Sequence, residues 1–135
     1  MSADLVTPEN VSVELLNGIF AAYMETAFDE DGDLLVKGDC QVYVTIVPDK
    51  SFVRLMTIFR TKEDCSQEAR LAAANMINRD YTMIRAHCSD NDKLIFTYYF
   101  MLAGGVTRNA LVRGAKLFDS IPRQAIYEHA EDLVC

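Results

Sequence analysis

No apolar run in this chain approaches the roughly 20 residues needed to cross a bilayer. The N-terminal Met-Ser-Ala-Asp-Leu-Val-Thr-Pro also lacks the basic region and apolar stretch of an export signal. No membrane partner is expected, and the chain is read as cytoplasmic. Positive charge is scarce as well: 13 Lys and Arg stand against 20 Asp and Glu, a formal net charge of -7. That balance repels phosphate backbones, so no nucleic-acid partner is expected. The four cysteines, Cys40, Cys65, Cys88 and Cys135, make no CxxC unit of the kind that holds zinc. Without an export signal they are read as reduced, small buried thiols. Histidine is limited to His87 and His129. His87 and Cys88 are adjacent, and on a strand they point to opposite faces, so they cannot form a nucleophile–base pair with each other. No Gly-Lys-Ser/Thr follows Gly104-Gly105, which excludes a P-loop. Internal repeats and low-complexity linkers are absent too.

What is present is the composition of a folded protein, half apolar and a quarter charged. At 135 residues the chain is read as a single domain over 1–135 with an N-terminal tail at 1–7, large enough to bury roughly two-thirds of its unfolded surface. Its organising stretch is Gln41 to Arg60, two strands meeting at Pro48-Asp49-Lys50-Ser51. Val42, Val44 and Ile46 alternate with Gln41, Tyr43 and Thr45; Phe52, Arg54, Met56 and Ile58 alternate with Val53, Leu55, Thr57 and Phe59. The second strand is apolar apart from Arg54, Thr57 and Arg60, which predicts an interior strand covered on much of both faces.

Thr7-Pro8-Glu9 predicts a helix start, with an apolar stripe through Val11, Leu15, Ile19 and Ala22 ending near Met24. Glu25–Phe28 and Leu34–Lys37 flank an Asp-Gly turn and predict a hairpin. The acidic residues of that turn do not fit a calcium loop: counting from Asp29, Gly32 falls at position four and Cys40 at twelve, so the turn is read as solvated, with no metal. Thr61 to Asp64 predicts a cap for a second helix with an inward stripe of Cys65, Ala69, Ala72 or Ala73, and Met76, terminated by Asn78. Thr82–Cys88 and Lys93–Leu102 predict a second strand pair about Ser89-Asp90-Asn91-Asp92, the later strand central. Gly104-Gly105 makes a corner, Thr107 caps a third helix, and Pro122 breaks it, with Ser120 capping the next piece. Arg54 and Arg60 share a sheet face with Met56 and Ile58, an arrangement suited to a protein or peptide partner.

This order of elements resembles the bacterial YbjN family, labelled sensory transduction regulators, over about Val11 to Leu133. The likeness is carried by Asp31-Gly32-Asp33-Leu34, by Asn75 to Asn78, and by Leu94 through Thr107. It implies an α+β fold similar to type III secretion chaperones: an antiparallel sheet with helices packed against it, in the order α-β-β-β-β-α-β-β-α(-α). It also implies a regulatory or chaperone-like role with no catalytic residue and no cofactor. Secretion-chaperone relatives often form homodimers and hold an extended client on the sheet and helix surface. The expected function is a non-enzymatic protein-binding module with a protein client and a homodimeric state, contacting partners through Arg54, Arg60, Tyr98 and Arg108. The alternative is a sensor of a small anionic ligand, bound between the sheet and the C-terminal helices near Arg108 and Tyr98.

Overall fold

The computed structural model describes residues 5–90 and 92–135. The expected tail at residues 1–4 and the turn residue Asn91 lie outside that range. Eight strands and four helices follow in order: β1 (Leu5–Val6), α1 (Val13–Ala21), β2 (Glu25–Phe28), β3 (Leu34–Lys37), β4 (Gln41–Ile46), β5 (Phe52–Arg60), α2 (Gln67–Asp80), β6 (Arg85–Cys88), β7 (Lys93–Met101), β8 (Val106–Thr107), α3 (Arg108–Ser120) and α4 (Pro122–His129). Six strands form one antiparallel sheet in the order β2-β3-β4-β5-β7-β6, and β1 pairs with β8 apart from it. The expected α+β architecture is the observed one. Leu5 and Val6 depart from the expected tail at 1–7: Val6 is fully buried, because pairing with Val106 carries it into the core.

β5 and β7 are interior, as their apolar content predicts, and pair with each other from Phe52↔Met101 to Arg60↔Lys93. The expected cover on both faces is not found. Val42, Val44, Val53, Leu55, Leu94, Phe96 and Phe100 join the buried faces of the helices in one cluster. The alternate residues Met56, Ile58, Ile95 and Tyr99 stand outside it, half-buried or exposed. The helices therefore cover one face, and the period of two leaves the other open.

Helix starts were displaced from their expected positions by better caps. Ser12 accepts from the Leu15 N–H and starts α1, whereas Thr7 is held in a turn by Asn10, whose Oδ1 accepts the Thr7 N–H at 2.8 Å. Ser66 caps α2 in the same way. Thr61 is buried instead, its N–H and hydroxyl both donating to the Asp92 carbonyl. Of the expected inward stripe Ala73 is buried, joined by Ala74 and Ile77, while Cys65, Ala69, Ala72 and Met76 are half-buried or exposed. Asn78 does not terminate the helix. Its side-chain amide donates to the Ala86 carbonyl at 3.0 Å and its Oδ1 accepts the Ala86 N–H at 2.7 Å, occupying the outer edge of β6 as a further strand would. Thr107 caps α3 as expected, through the Ala110 N–H. The helix breaks before Pro122, but the Ser120 hydroxyl donates back to Leu117 and caps nothing.

Two close approaches fix α3. A Cβ at Gly114 would stand 2.5 Å from the Phe100 ring, so only glycine lets the helix lie on β7 here. At the far end the Asp119 carboxylate accepts from the Asp39 and Cys40 N–H groups at 2.9 and 2.8 Å, occupying space that a Cβ on Gly38 would need. Burial, then the Asp119 charge, pushes the Cys40 thiol up to about 11.

Gly114→Ala is expected to destabilise the fold by about 1–3 kcal/mol through overpacking against Phe100, read as a lower urea midpoint with an unchanged slope. Iodoacetamide at neutral pH is expected to modify the exposed Cys135 first and Cys40 last, since the thiolate is the reacting form. Peptide mapping after timed quenching gives the order, and a Cys40 that labels as fast as Cys135 contradicts the assigned packing.

Candidate functional site

The open face of the sheet is built by strand register. Arg54 pairs with Thr45 on one side and Tyr99 on the other, and its Nε donates to the Thr45 hydroxyl at 3.1 Å. Arg60 lies opposite Lys93, in a shallow depression shared with Tyr43, Ile58 and Arg123. Six residues of strand put Arg54 and Arg60 about 20 Å apart, so they mark the ends of a row and cannot converge on one small ligand. Between them lie Met56 and Ile58, opposite Thr97 and Ile95 of the neighbouring strand, while Tyr99 stands opposite Arg54 and Met101 beyond it, opposite Phe52; Ile58 and Tyr99 are about two-fifths exposed and Met101 63%. Phe52 meets the Tyr99 ring edge-on at 5.8 Å, which orients both aromatics on this face. The row is apolar in the middle with cations at its ends.

The remaining two expected contact residues are not brought together. Tyr98 belongs to the covered face, edge-on to Phe100 at 4.9 Å, and lines a recess beside Gly114 and Leu117. Arg108 opens α3 on the helix's other flank, in a cleft of about 640 Å³ against α1. That cleft is lined by Gly18, Ile19, Ala22, Tyr23, Thr107, Arg108, Asn109, Val112, Arg113 and Lys116, with no carboxylate among them. The Lys116 ammonium lies 5.9 Å from the Tyr23 ring centroid. Arg113 and Lys116 were not among the expected residues. Arg113 lies four residues from Asn109 and Lys116 four from Val112, and that helical spacing is the signal that finds them.

The other groups that carry chemistry are dispersed or already engaged. Asp29, Asp31 and Asp33 have carboxylate oxygens within 4.8 Å of one another, and Asp29 Oδ1 closes the turn by accepting the Asp31 and Asp33 N–H groups. Gly104 and Gly105 take positive φ and turn the chain, with the Gly105 N–H donating to Leu102 at 2.8 Å. On β6, His87 pairs with Ile95 of the open face and Cys88 with Leu94 of the covered one. Burial, and then the Arg85 charge, lowers the His87 pKa. His129 faces the Asp80 carboxylate at 2.7 Å.

The comparisons agree with this geometry. Among curated proteins, none matches the sequence. The fold is similar to the crystal structure of YbjN from E. coli, with a TM-score of 0.79 at 13% identity, covering 96% of this chain and 98% of that one. It is also similar to a chain of the HopA1–SchA chaperone–effector complex, with a TM-score of 0.57 at 12% identity over 87% of this chain and 91% of that one. A third likeness is to the Yersinia pestis type III secretion chaperone SycH in complex with a stable fragment of YscM2, with a TM-score of 0.52 at 14% identity over 85% and 94%. The profile of the YbjN family, described as "Putative bacterial sensory transduction regulator", matches residues 13–126. Six antiparallel strands with helices on one face, and that match across most of the length, lead to one conclusion: this chain belongs to the YbjN family.

Proposed function

We propose that this protein is a non-enzymatic, cytoplasmic regulatory or chaperone-like module that binds another protein, and that it works as a homodimer. The observation that carries the reading is the open sheet face, where Met56 and Ile58 lie between Arg54 and Arg60 and the apolar surface continues past Arg54 through Tyr99 and Met101. An exposed apolar surface with cations set along it is a protein-docking surface in physical terms, since apolar area is gained on contact while the charged heads stay solvated. Tyr98 and Arg108, on the two flanks of α3, are contacted only by a partner that continues from the sheet onto the helices. A chaperone–effector complex and a secretion chaperone bound to a fragment of YscM2, each holding a chain of similar fold, support such a partner.

A second reading has its own support. Arg108, Arg113 and Lys116 line one cleft with no carboxylate among its described lining residues, in a chain of net charge -7, which suits a small anionic ligand. That ligand would sit between α1 and α3, away from Tyr98.

The test of the first reading pairs mass with capture. Light scattering at micromolar concentration is expected to give twice 15.2 kDa, and a monomer throughout that range removes the dimer. A protein captured from native extract by the parent chain is expected to be lost with Met56→Glu combined with Ile58→Glu. Retention by that folded variant removes the open face as the contact. For the second reading, a phosphorylated metabolite is expected to raise the melting temperature of the parent chain but not of Arg108→Ala combined with Lys116→Ala. No shift with any anion in a broad screen dismisses it.

A further inference from the structure

The three borders of the large sheet are treated differently. β2, at one edge, is four residues long and ends in the acidic Asp29–Asp33 turn. β6, at the other, has its outward backbone groups at Ala86 taken by Asn78. The third border arises because β7 has nine residues and β6 only four, pairing from Leu94 to Thr97. Beyond Thr97 this flank of β7 pairs with no strand among the described residues.

Which backbone groups this exposes follows from the ladder. The Leu102 N–H donates to Ser51 at the β5 end, while the Lys93 carbonyl accepts the Ser89 N–H on the β6 side. Even-numbered residues of β7 therefore turn their N–H and C=O to β5, and odd-numbered ones turn theirs to the β6 side. Ile95 and Thr97 are matched there by His87 and Arg85. Among the described residues Tyr99 and Met101 face no strand, so two N–H and two C=O groups are presented in line, in the spacing of a strand. They open into a slot of about 450 Å³ walled by Met83, Tyr98, Val106, Ala110, Gly114 and Leu117. Met83 and Leu117 are 54% and 45% exposed, and Met83 is held at φ 70, in the left-handed region that a methionine seldom takes. The single charged residue lining the slot is Arg113.

We propose that this slot takes an extended segment of a partner protein, apolar at alternate positions and carrying an acidic residue opposite Arg113, which adds as a strand to β7 along Tyr99 and Met101. The proposal rests on the protein-binding reading above and gives it an address and a backbone chemistry. α3 overhangs one side of the slot and the Met83 turn closes one end. A single extended segment enters that space, whereas the edge of a second folded copy, carrying its own covering helices, is obstructed. Complementarity to Arg113 sets the sign of the segment's charge.

The probe is a capped synthetic peptide of about six residues, long enough to span the slot and one residue beyond each end, alternating valine with threonine around one central glutamate. Backbone amide exchange, followed by NMR on the full chain, is the readout. In the free protein the Tyr99 and Met101 amides are expected to exchange faster than those of Tyr98 and Phe100. Peptide at millimolar concentration is expected to slow Tyr99 and Met101 by about tenfold, as one new hydrogen bond each implies. The effect is expected to vanish when alternate peptide amides are N-methylated and to weaken when the glutamate becomes lysine. Met83→Gly removes a wall while relieving the left-handed backbone, so it is expected to fold and bind more weakly. Tyr99→Pro removes the donor on the unpaired side without touching the β5 ladder, and is expected to abolish binding.

Absence of protection at Tyr99 and Met101 with every member of a panel of acidic alternating peptides overturns the proposal. Protection that grows with protein concentration alone assigns the slot to a second copy and overturns it too. Binding lost with Met56→Glu and Ile58→Glu but kept in Tyr99→Pro and Met83→Gly overturns the slot while leaving the open-face reading standing.

Discussion

The ladder between β5 and β7 is the constraint from which the other surfaces follow. It runs the full length of both strands, and its register decides which alternate residues meet the helices. A slip of one residue would turn Val53, Leu55, Leu94 and Phe96 outward and bring Arg54 and Tyr99 into the core. Each apolar side chain moved in that way costs about 1.5–3 kcal/mol, so the slip is out of reach for a fold of ordinary stability. The outward position of Met56, Ile58, Tyr99 and Met101 is thus fixed by what their neighbours bury. An apolar open face is the other half of the same alternation.

Much of this was legible in the residues. Strict period-two runs at Gln41–Ile46 and Phe52–Arg60 gave the central hairpin because each alternate residue has a distinct environment. The Asp-Gly and Gly-Gly signals marked chain reversals that only a positive φ accommodates. Helix starts were less legible. Thr7 and Ser12, or Thr61 and Ser66, are chemically equivalent caps, and the choice fell to tertiary partners, Asn10 in one case and Asp92 in the other. Asn78 was misread for a related reason. Its short amide suits a helix terminus locally, but the nearby edge of β6 offers it two backbone partners at once. Whether β5 was covered on one face or two was not written in its composition, because an interior strand and a strand with an apolar docking face have the same residues.

The site residues show where single-chain reading stops. Arg54 and Arg60 share a face because strand parity says so. Tyr98 and Arg108 were expected beside one pocket between the sheet and the C-terminal helices, and the rotation of α3 sends them to opposite flanks. That rotation is set by Gly114 against Phe100 at mid-helix and by Asp119 against the Gly38–Cys40 turn at the C-terminal end. Both contacts are long-range, and neither has a local signature. They also account for the chemistry of this region. Asp119 is spent on capping a turn, and the same carboxylate that fixes Cys40 helps keep its thiol protonated.

The energetics of an added strand explain why such a border can persist without driving aggregation. The two N–H and two C=O groups of Tyr99 and Met101 are hydrated when free, so pairing them yields only about 0.5–1.5 kcal/mol each. Ordering a segment of about four residues costs roughly 1–2 kcal/mol per residue, which cancels that gain or exceeds it. Backbone pairing alone therefore holds nothing here. The balance turns on side chains: two apolar groups entering the recess beside Met83, Tyr98 and Leu117 add about 1.5–3 kcal/mol apiece, enough for a weak and reversible grip. A border of this kind discriminates among segments by what they carry at alternate positions, and it releases them readily. Both properties suit a protein whose fold is shared with chaperones and whose described residues assemble no catalytic constellation.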